Sequence, residues 1–188
     1  IRRQWGVTDH DIVIGSIGNL NWVKNYPFML KVLSELFKKY KNIYLIIYGG
    51  GPELLSLKSI VYERKVANQV MFLGQDDEAA IKIQGANIFL FTSLSEGMPN
   101  VVIEASLAGL PIVTSDVGGV RDIVAHGETG FICNDYSISS FVKCLSILIE
   151  DERKRIKFGS KSKDLALKQF NISIICDQYN NFYRNRVE

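Results

Sequence analysis

The chain has 188 residues, 47% of them hydrophobic, which is enough for one domain with its own core and excludes a disordered or repeat polymer. With 22 basic and 20 acidic residues the net charge is +2, too weak a field to make nucleic acid an obligatory partner. No apolar run approaches the roughly 20 residues of a bilayer span, and three cysteines without CxxC spacing argue against a disulfide framework or zinc cluster and for a reducing, cytoplasmic setting.

The chain begins at Ile1, in a charged context unlike a signal peptide and without an initiator Met, so a fragment of a longer protein is expected. Ile12–Ile17 reads as the first strand, followed by Gly18, Asn19 and a loop bearing Lys24. Residues 28–40 carry Met29, Val32, Leu33, Leu36 and Tyr40 on one helical face. Ile43–Tyr48 is the second strand, ending in the triple glycine 49–51, and 70–73 the third, ending in Gly74, Gln75 and an acidic run, Asp76, Asp77 and Glu78. Further strands are expected at Ile88–Phe91 and 112–114, with a weaker one at 131–132. A helix over 137–149 presents Ile138, Phe141, Val142, Leu145 and Leu148. From Glu150 the pattern is helical and polar, closing in a terminal helix over 172–188 with Ile175, Tyr179 and Phe182 in a stripe.

The apolar runs do not alternate, so they read as strands buried on both faces. Strands alternating with helices predict an α/β fold, a Rossmann-like parallel sheet with helices on both faces and ligands at the carboxyl ends of the strands. The loops after strands are therefore where chemistry is sought.

Residues 99–113, PNVVIEASLAGLPIV, hold a single ionisable side chain, Glu104, near the start of a helix that is apolar nearly all round. Such a helix is buried, and a carboxylate in it must find hydrogen bonds from backbone, side chain or ligand. A pair of ligand hydroxyls fits, and so does a capping role or a solvated stripe. Just upstream lies TSLSEGM, 92–98, with Pro99 in the first helical turn, where its missing N–H is not needed. The free N–H groups of Gly97, Met98, Asn100 and Val101 would make an anion site with the helix dipole. Glu96 stands at the loop tip, eight positions before Glu104.

Segment 93–124, SLSEGMPNVVIEASLAGLPIVTSDVGGVRDIV, resembles the E-x7-E region of family 4 retaining glycosyltransferases, including the downstream pair Gly118 and Gly119 and the GETG of 127–130. The first strand with Gly18 and Lys24, LIIYGGGP over 45–52 and VMFLGQ over 70–75 follow the same plan. The resemblance covers the whole chain, 1–188, as the nucleotide-sugar-binding C-terminal half of a GT-B enzyme whose N-terminal, acceptor-binding domain is absent. It implies transfer, with retention, from a nucleoside-diphosphate sugar, UDP-sugar favoured, to an acceptor glycan or lipid-linked glycan in bacterial polysaccharide or glycolipid synthesis. No metal or cofactor is implied, and the half alone should be inactive. Glu104 would bind the ribose hydroxyls. Glu96, with the amides of Gly97, Met98, Asn100 and Val101, would hold the donor sugar and diphosphate. Lys24 would hold the diphosphate as a point charge, and Gln75 would touch the base. Glu96→Gln should then spare bare diphosphate binding while Glu104→Gln weakens it. One departure is Asn19, where the family usually has Arg directly after Gly18. Within GT-B an epimerase or phosphorylase is the alternative, and outside enzymes a nucleotide-binding module without transfer.

Three other signals are read as structural. Asp9-His10-Asp11 spells a metal-binding DxD, but it precedes the first strand and so lies at the amino edge of the sheet, as a solvated turn. His126, before Gly127, has no second ligand near it in sequence and reads as neither metal ligand nor base. The basic stretch Arg153, Lys154, Arg155, Lys157, Lys161 and Lys163 reads as a solvated helix face, with peripheral contact to anionic lipid on the inner membrane face as the other reading.

Overall fold

The computed structural model describes residues 1–171 together with Cys176 and Phe182, so most of the expected terminal helix over 172–188 lies outside the described residues. Six strands form one sheet: β1 Ile12–Ile17, β2 Ile43–Tyr48, β3 Val70–Gly74, β4 Ile88–Phe91, β5 Ile112–Ser115 and β6 Gly130–Cys133. All neighbours are parallel and the order is β3-β2-β1-β4-β5-β6. The chain thus winds outward from β1 to β3, returns to the middle at β4, and winds outward again to β6. The reversal between β1 and β4 opens a crevice at their carboxyl ends.

The β1–β4 seam is thinly paired, with two register partners against six between β1 and β2. Asn87, just before β4, reinforces it: its N–H donates to the Val13 carbonyl at 2.7 Å and its Oδ1 accepts the Val13 N–H at 2.7 Å.

Helices α1 Tyr26–Lys39, α2 Leu54–Glu63, α3 Ala79–Lys82, α4 Asn100–Leu107, α5 Val120–Ile123, α6 Ile138–Glu150 and α7 Glu152–Gln169 cover the sheet. Two apolar clusters lie on its two sides. Ile14, Leu45, Ile47 and Leu90 pack with Met29, Leu33 and Leu36 of α1 and Phe141 and Leu145 of α6. Val13, Ile46, Phe89 and Phe91 pack with Val102 and Ala105 of α4 and with Val120 and Ile123 of α5. Successive residues of each central strand feed opposite clusters, as the non-alternating runs require, and each fully buried Leu, Ile or Phe contributes about 1.5–3 kcal/mol. The edge strand β3 departs from this pattern: among the described residues one of its flanks has no partner strand, and Leu73 is 37% exposed.

Two expectations are corrected at helices. Pro99 is the N-cap of α4 rather than part of its first turn; its carbonyl accepts the N–H groups of Val102 and Ile103. In the basic stretch, Arg155 is buried, not solvated, because its guanidinium Nη1 donates to the Leu148 and Ile149 carbonyls at the end of α6. Those carbonyls lack helical partners, which a cation satisfies well. Lys161 pairs with Glu128 at 2.8 Å on the surface. Cys133 and Cys144 are free thiols with Sγ atoms 3.9 Å apart.

Candidate functional site

The floor of the crevice is built where the turns after β1 and β2 meet. The Gly18 N–H donates to the Tyr48 carbonyl at 3.0 Å and the Leu20 N–H to the Gly50 carbonyl at 2.8 Å. Gly49 lies between them at φ +146, and a Cβ there would run into the Gly18 carbonyl oxygen. Only glycine meets both conditions.

Beyond Leu20 the Asn21 side chain accepts the Lys24 N–H at 3.3 Å, capping a 3-10 turn over Trp22–Lys24. Asn25, in the left-handed region at φ 52, then turns the chain into α1. These two asparagines place Lys24 at the crevice. Its turn is tied to the loop after β4: the Leu94 N–H donates to the Val23 carbonyl at 2.7 Å, and the Thr92 hydroxyl donates to the Lys24 carbonyl at 3.1 Å.

The two loops also meet through charge. Lys24 Nζ lies 2.5 Å from Glu96 Oε1, with the side chains 19% and 16% exposed, and 5.3 Å from the centroid of the Phe91 ring. The same Glu96 oxygen accepts the Ser93 hydroxyl at 2.7 Å. Glu96, read from sequence as standing at the loop tip, therefore folds back against Lys24. Ser93 is fixed in turn, its carbonyl accepting the Ser115 hydroxyl at 2.7 Å and the Tyr136 hydroxyl at 2.6 Å. Gly118, at φ 52, leaves room for the Glu96 and Gly97 carbonyls, and the Gly119 N–H donates to Gly97 at 2.7 Å.

A cavity of about 490 Å3 occupies the crevice, the size of a small-ligand site. Of the residues expected in the site, Gly18, Asn19, Lys24, Gln75 and Val101 line it. Glu96, Gly97, Met98, Asn100 and Glu104 do not; they form the adjoining β4–α4 junction, with Glu96 joined to the cavity through Lys24. Among the described residues the N–H groups of Gly97, Met98, Asn100 and Val101 have no hydrogen-bond acceptor.

Glu104 is half-buried on α4, and no hydrogen bond reaches its carboxylate among the described residues. Loss of water raises its pKa above the usual carboxylate range. Lys24 and the β4–α4 junction thus hold one cation, one carboxylate bonded to it and one carboxylate without a hydrogen bond among the described residues.

Tyr48, Gly49, Asp76 and Asp77 also line the cavity and were not expected there. α3 has no side-chain bond at its N-cap, Glu78, so the acidic run does not cap it as expected: Asp76 Oδ1 accepts the Glu78 N–H at 2.9 Å in the turn before the helix, while its Oδ2 pairs with Lys82 at 2.7 Å. The Lys82 hydrogen bond, ahead of the Glu78 N–H, lowers the Asp76 carboxyl below its usual range. Ser93 could have been found from its position three residues before Glu96; nothing in the sequence signals Tyr136.

The signals read as structural stay away from the crevice. Asp9 is 98% exposed at the amino edge, and Asp11 accepts the Thr8 N–H and hydroxyl at 2.7 Å within the turn. His126 Nδ1 accepts the Ile132 N–H at 3.0 Å. Among the described residues no three His, Cys, Asp or Glu side chains gather as a metal site, and no helix is long and apolar enough to cross a membrane.

This strand order, with the crevice at its switch point, is that of the C-terminal domain of GT-B glycosyltransferases. The chain belongs to the glycosyl transferases group 1 family, whose model matches residues 1–165. An "uncharacterized glycosyltransferase" of Haemophilus influenzae is 33% identical over 165 residues, 87% of this chain and 46% of that protein. N-acetyl-alpha-D-glucosaminyl L-malate synthase of Bacillus anthracis is 24% identical over 183 residues, 97% of this chain and 48% of that protein. The structure of Anabaena HepE in complex with UDP-glucose superposes with a TM-score of 0.88 at 23% identity, covering 98% of this chain and 51% of that one, a likeness of fold. The chain spans about half the length of the curated relatives it matches.

Proposed function

We propose that residues 1–188 form the donor-binding domain of a retaining glycosyltransferase that uses a nucleoside-diphosphate sugar, with UDP-sugar favoured. A second, acceptor-binding domain would supply the facing wall. The acceptor would be a glycan or lipid-linked glycan in bacterial polysaccharide or glycolipid synthesis, handled in the cytoplasm or at the inner membrane face. The observation that carries this reading is the Lys24 ammonium at the switch-point cavity, which Val101 of α4 also lines with its N–H unpaired among the described residues.

Each group suits a part of the donor. Lys24 offers the diphosphate a compact charge. The amides of Gly97, Met98, Asn100 and Val101, without acceptors among the described residues, would offer a ligand positive partial charge from the adjoining β4–α4 junction. Glu104, partly desolvated and unpaired, can accept two ribose hydroxyls. Gln75, on the cavity wall after β3, can meet the base. For transfer with retention, the acceptor would approach from the leaving-group side and give its proton to a diphosphate oxygen. Lys24 and the α4 amides would stabilise the departing charge, with no metal or cofactor called for. UDP as carrier is favoured by the UDP-glucose in the Anabaena structure.

Asn19 on the cavity wall, where the family usually has Arg, leaves less phosphate-binding charge and favours the second reading, a nucleotide-binding module without transfer. Titration calorimetry of the chain with UDP, UDP-glucose and uridine tests the site. Lys24→Met should weaken UDP by about 2 kcal/mol while sparing uridine. Equal losses for UDP and uridine would refute Lys24 as the phosphate ligand, and sugar transfer by the full-length protein would exclude the module.

A further inference from the structure

We infer that Glu96 competes internally for Lys24, so that the site distinguishes the sugar-bearing nucleotide from the bare nucleoside diphosphate that transfer leaves behind. This rests on the donor-site reading above. Lys24 and Glu96 are bonded to each other at 2.5 Å, with less than a fifth of either side chain exposed. A pair so shielded interacts more strongly than a surface salt bridge.

The carboxylate is not free to swing aside. Ser93 donates to it at 2.7 Å, and Ser93 is itself anchored by the hydroxyls of Ser115, from β5, and Tyr136, from the loop before α6. The Ser93 hydroxyl also lies 3.0 Å from the Val23 carbonyl, in the Lys24 turn. Glu96 is therefore held against the ammonium by three elements of the sheet's second half.

A diphosphate drawn to Lys24 meets an ammonium already bonded to Glu96. The balance then turns on how the diphosphate ends. A terminal phosphate carries a second ionisation near neutral pH, with a pKa of about 6, and that charge would face Glu96. Like charges in this half-buried setting repel. A glycosyl ester removes that ionisation and brings hydroxyl groups, which donate to a carboxylate. One side chain thus favours the donor and disfavours the product, which aids release after transfer.

The experiment is calorimetric titration of UDP and UDP-glucose into the wild-type chain, Glu96→Gln, Lys24→Met and the double variant, with thermal unfolding to confirm folding. Glu96→Gln should bind UDP about ten-fold more tightly, because the competitor and the repulsion are both removed, and should lose most of the preference for UDP-glucose. The gain should shrink in the Lys24→Met background, where only the repulsion is left to relieve. If Glu96→Gln does not fold, Glu96→Asp, which withdraws the charge by one methylene, should give a smaller rise in UDP affinity. Unchanged or weaker UDP binding in the folded Glu96 variant, with Lys24→Met still losing UDP, overturns the competition and leaves the donor site standing. Failure of the wild type to bind either nucleotide, or UDP affinity indifferent to Lys24, removes the donor site and the competition together.

Discussion

The amino and carboxyl edges of the sheet both carry acidic residues beside tight turns, and they treat them in opposite ways. At the amino edge the carboxylates are bonded within their own turn or face water. Asp11 is bonded within its own turn, Asp9 is almost fully exposed, and the Arg2 guanidinium is spent on the carbonyls of Gly85, Thr8 and Asp11 and on the Asn87 side chain. At the carboxyl edge Lys24 and Glu96 find each other across 72 residues of chain, with less than a fifth of either side chain exposed, and Glu104 has no hydrogen bond among the described residues. A carboxylate bonded within its own turn holds that turn; a carboxylate kept partly dry and without a hydrogen bond among the described residues is available to a ligand.

This contrast can be broken in steps. The largest effect is expected at Gly49→Ala, where a methyl would strike the Gly18 carbonyl and the left-handed φ is strained; a loss of about 3 kcal/mol in denaturant unfolding is expected. A loss below about 1 kcal/mol would mean that the cavity floor yields.

Glu104→Gln sharpens the comparison, because stability and binding should move in opposite directions. With its pKa raised in the folded state, Glu104 binds its proton more tightly folded than unfolded. Its charge therefore costs stability above the folded pKa, and that cost fades as pH falls through the raised value towards the unfolded one. The Gln variant should unfold at a slightly higher temperature at neutral pH and lose the gain in acid, while binding UDP about ten-fold more weakly. Lower stability at neutral pH with intact UDP binding would assign the carboxylate a structural role.

The smallest effect belongs to the amino edge. Asp9→Asn should leave UDP affinity unchanged and shift stability by less than about 0.5 kcal/mol. A measurable fall in UDP affinity would erase the distinction between the edges.

The sequence located all six strands to within two residues, because runs such as Ile43–Tyr48 and Ile88–Phe91 are apolar at consecutive positions and so announce burial on both faces. It located α1 and α6 through their stripes. Helices α3 and α5 span four residues each, too short for a helical period to show, and α2 exposes Leu55 and Tyr62, which blurs its face. In the site, Gly18, Asn19, Lys24, Gln75 and Val101 were legible because loops after parallel strands converge. The Lys24–Glu96 bond was not, since no local pattern links residues on separate loops. That bond also reverses an expectation: Glu96→Gln, read from sequence as sparing bare diphosphate, is now expected to strengthen its binding. The Tyr136 hydroxyl on Ser93 was invisible for the same reason.

The thin seam between β1 and β4 has a consequence for how the molecule assembles. The β1–β2–β3 unit and the β4–β5–β6 unit each form from near neighbours in the chain, by closures of a few tens of residues. Joining them closes a longer loop; strand against strand it gains two paired positions and the bonds of Asn87, and the rest comes from the bonds of Leu94 to Val23 and Thr92 to Lys24 and from α1 packed with α6, and loop closure disfavours such distant contacts until local ones exist. The crevice lies on that seam. The site is therefore expected to be the last part of the domain to take shape, Lys24 meeting Glu96 once the two half-sheets have docked.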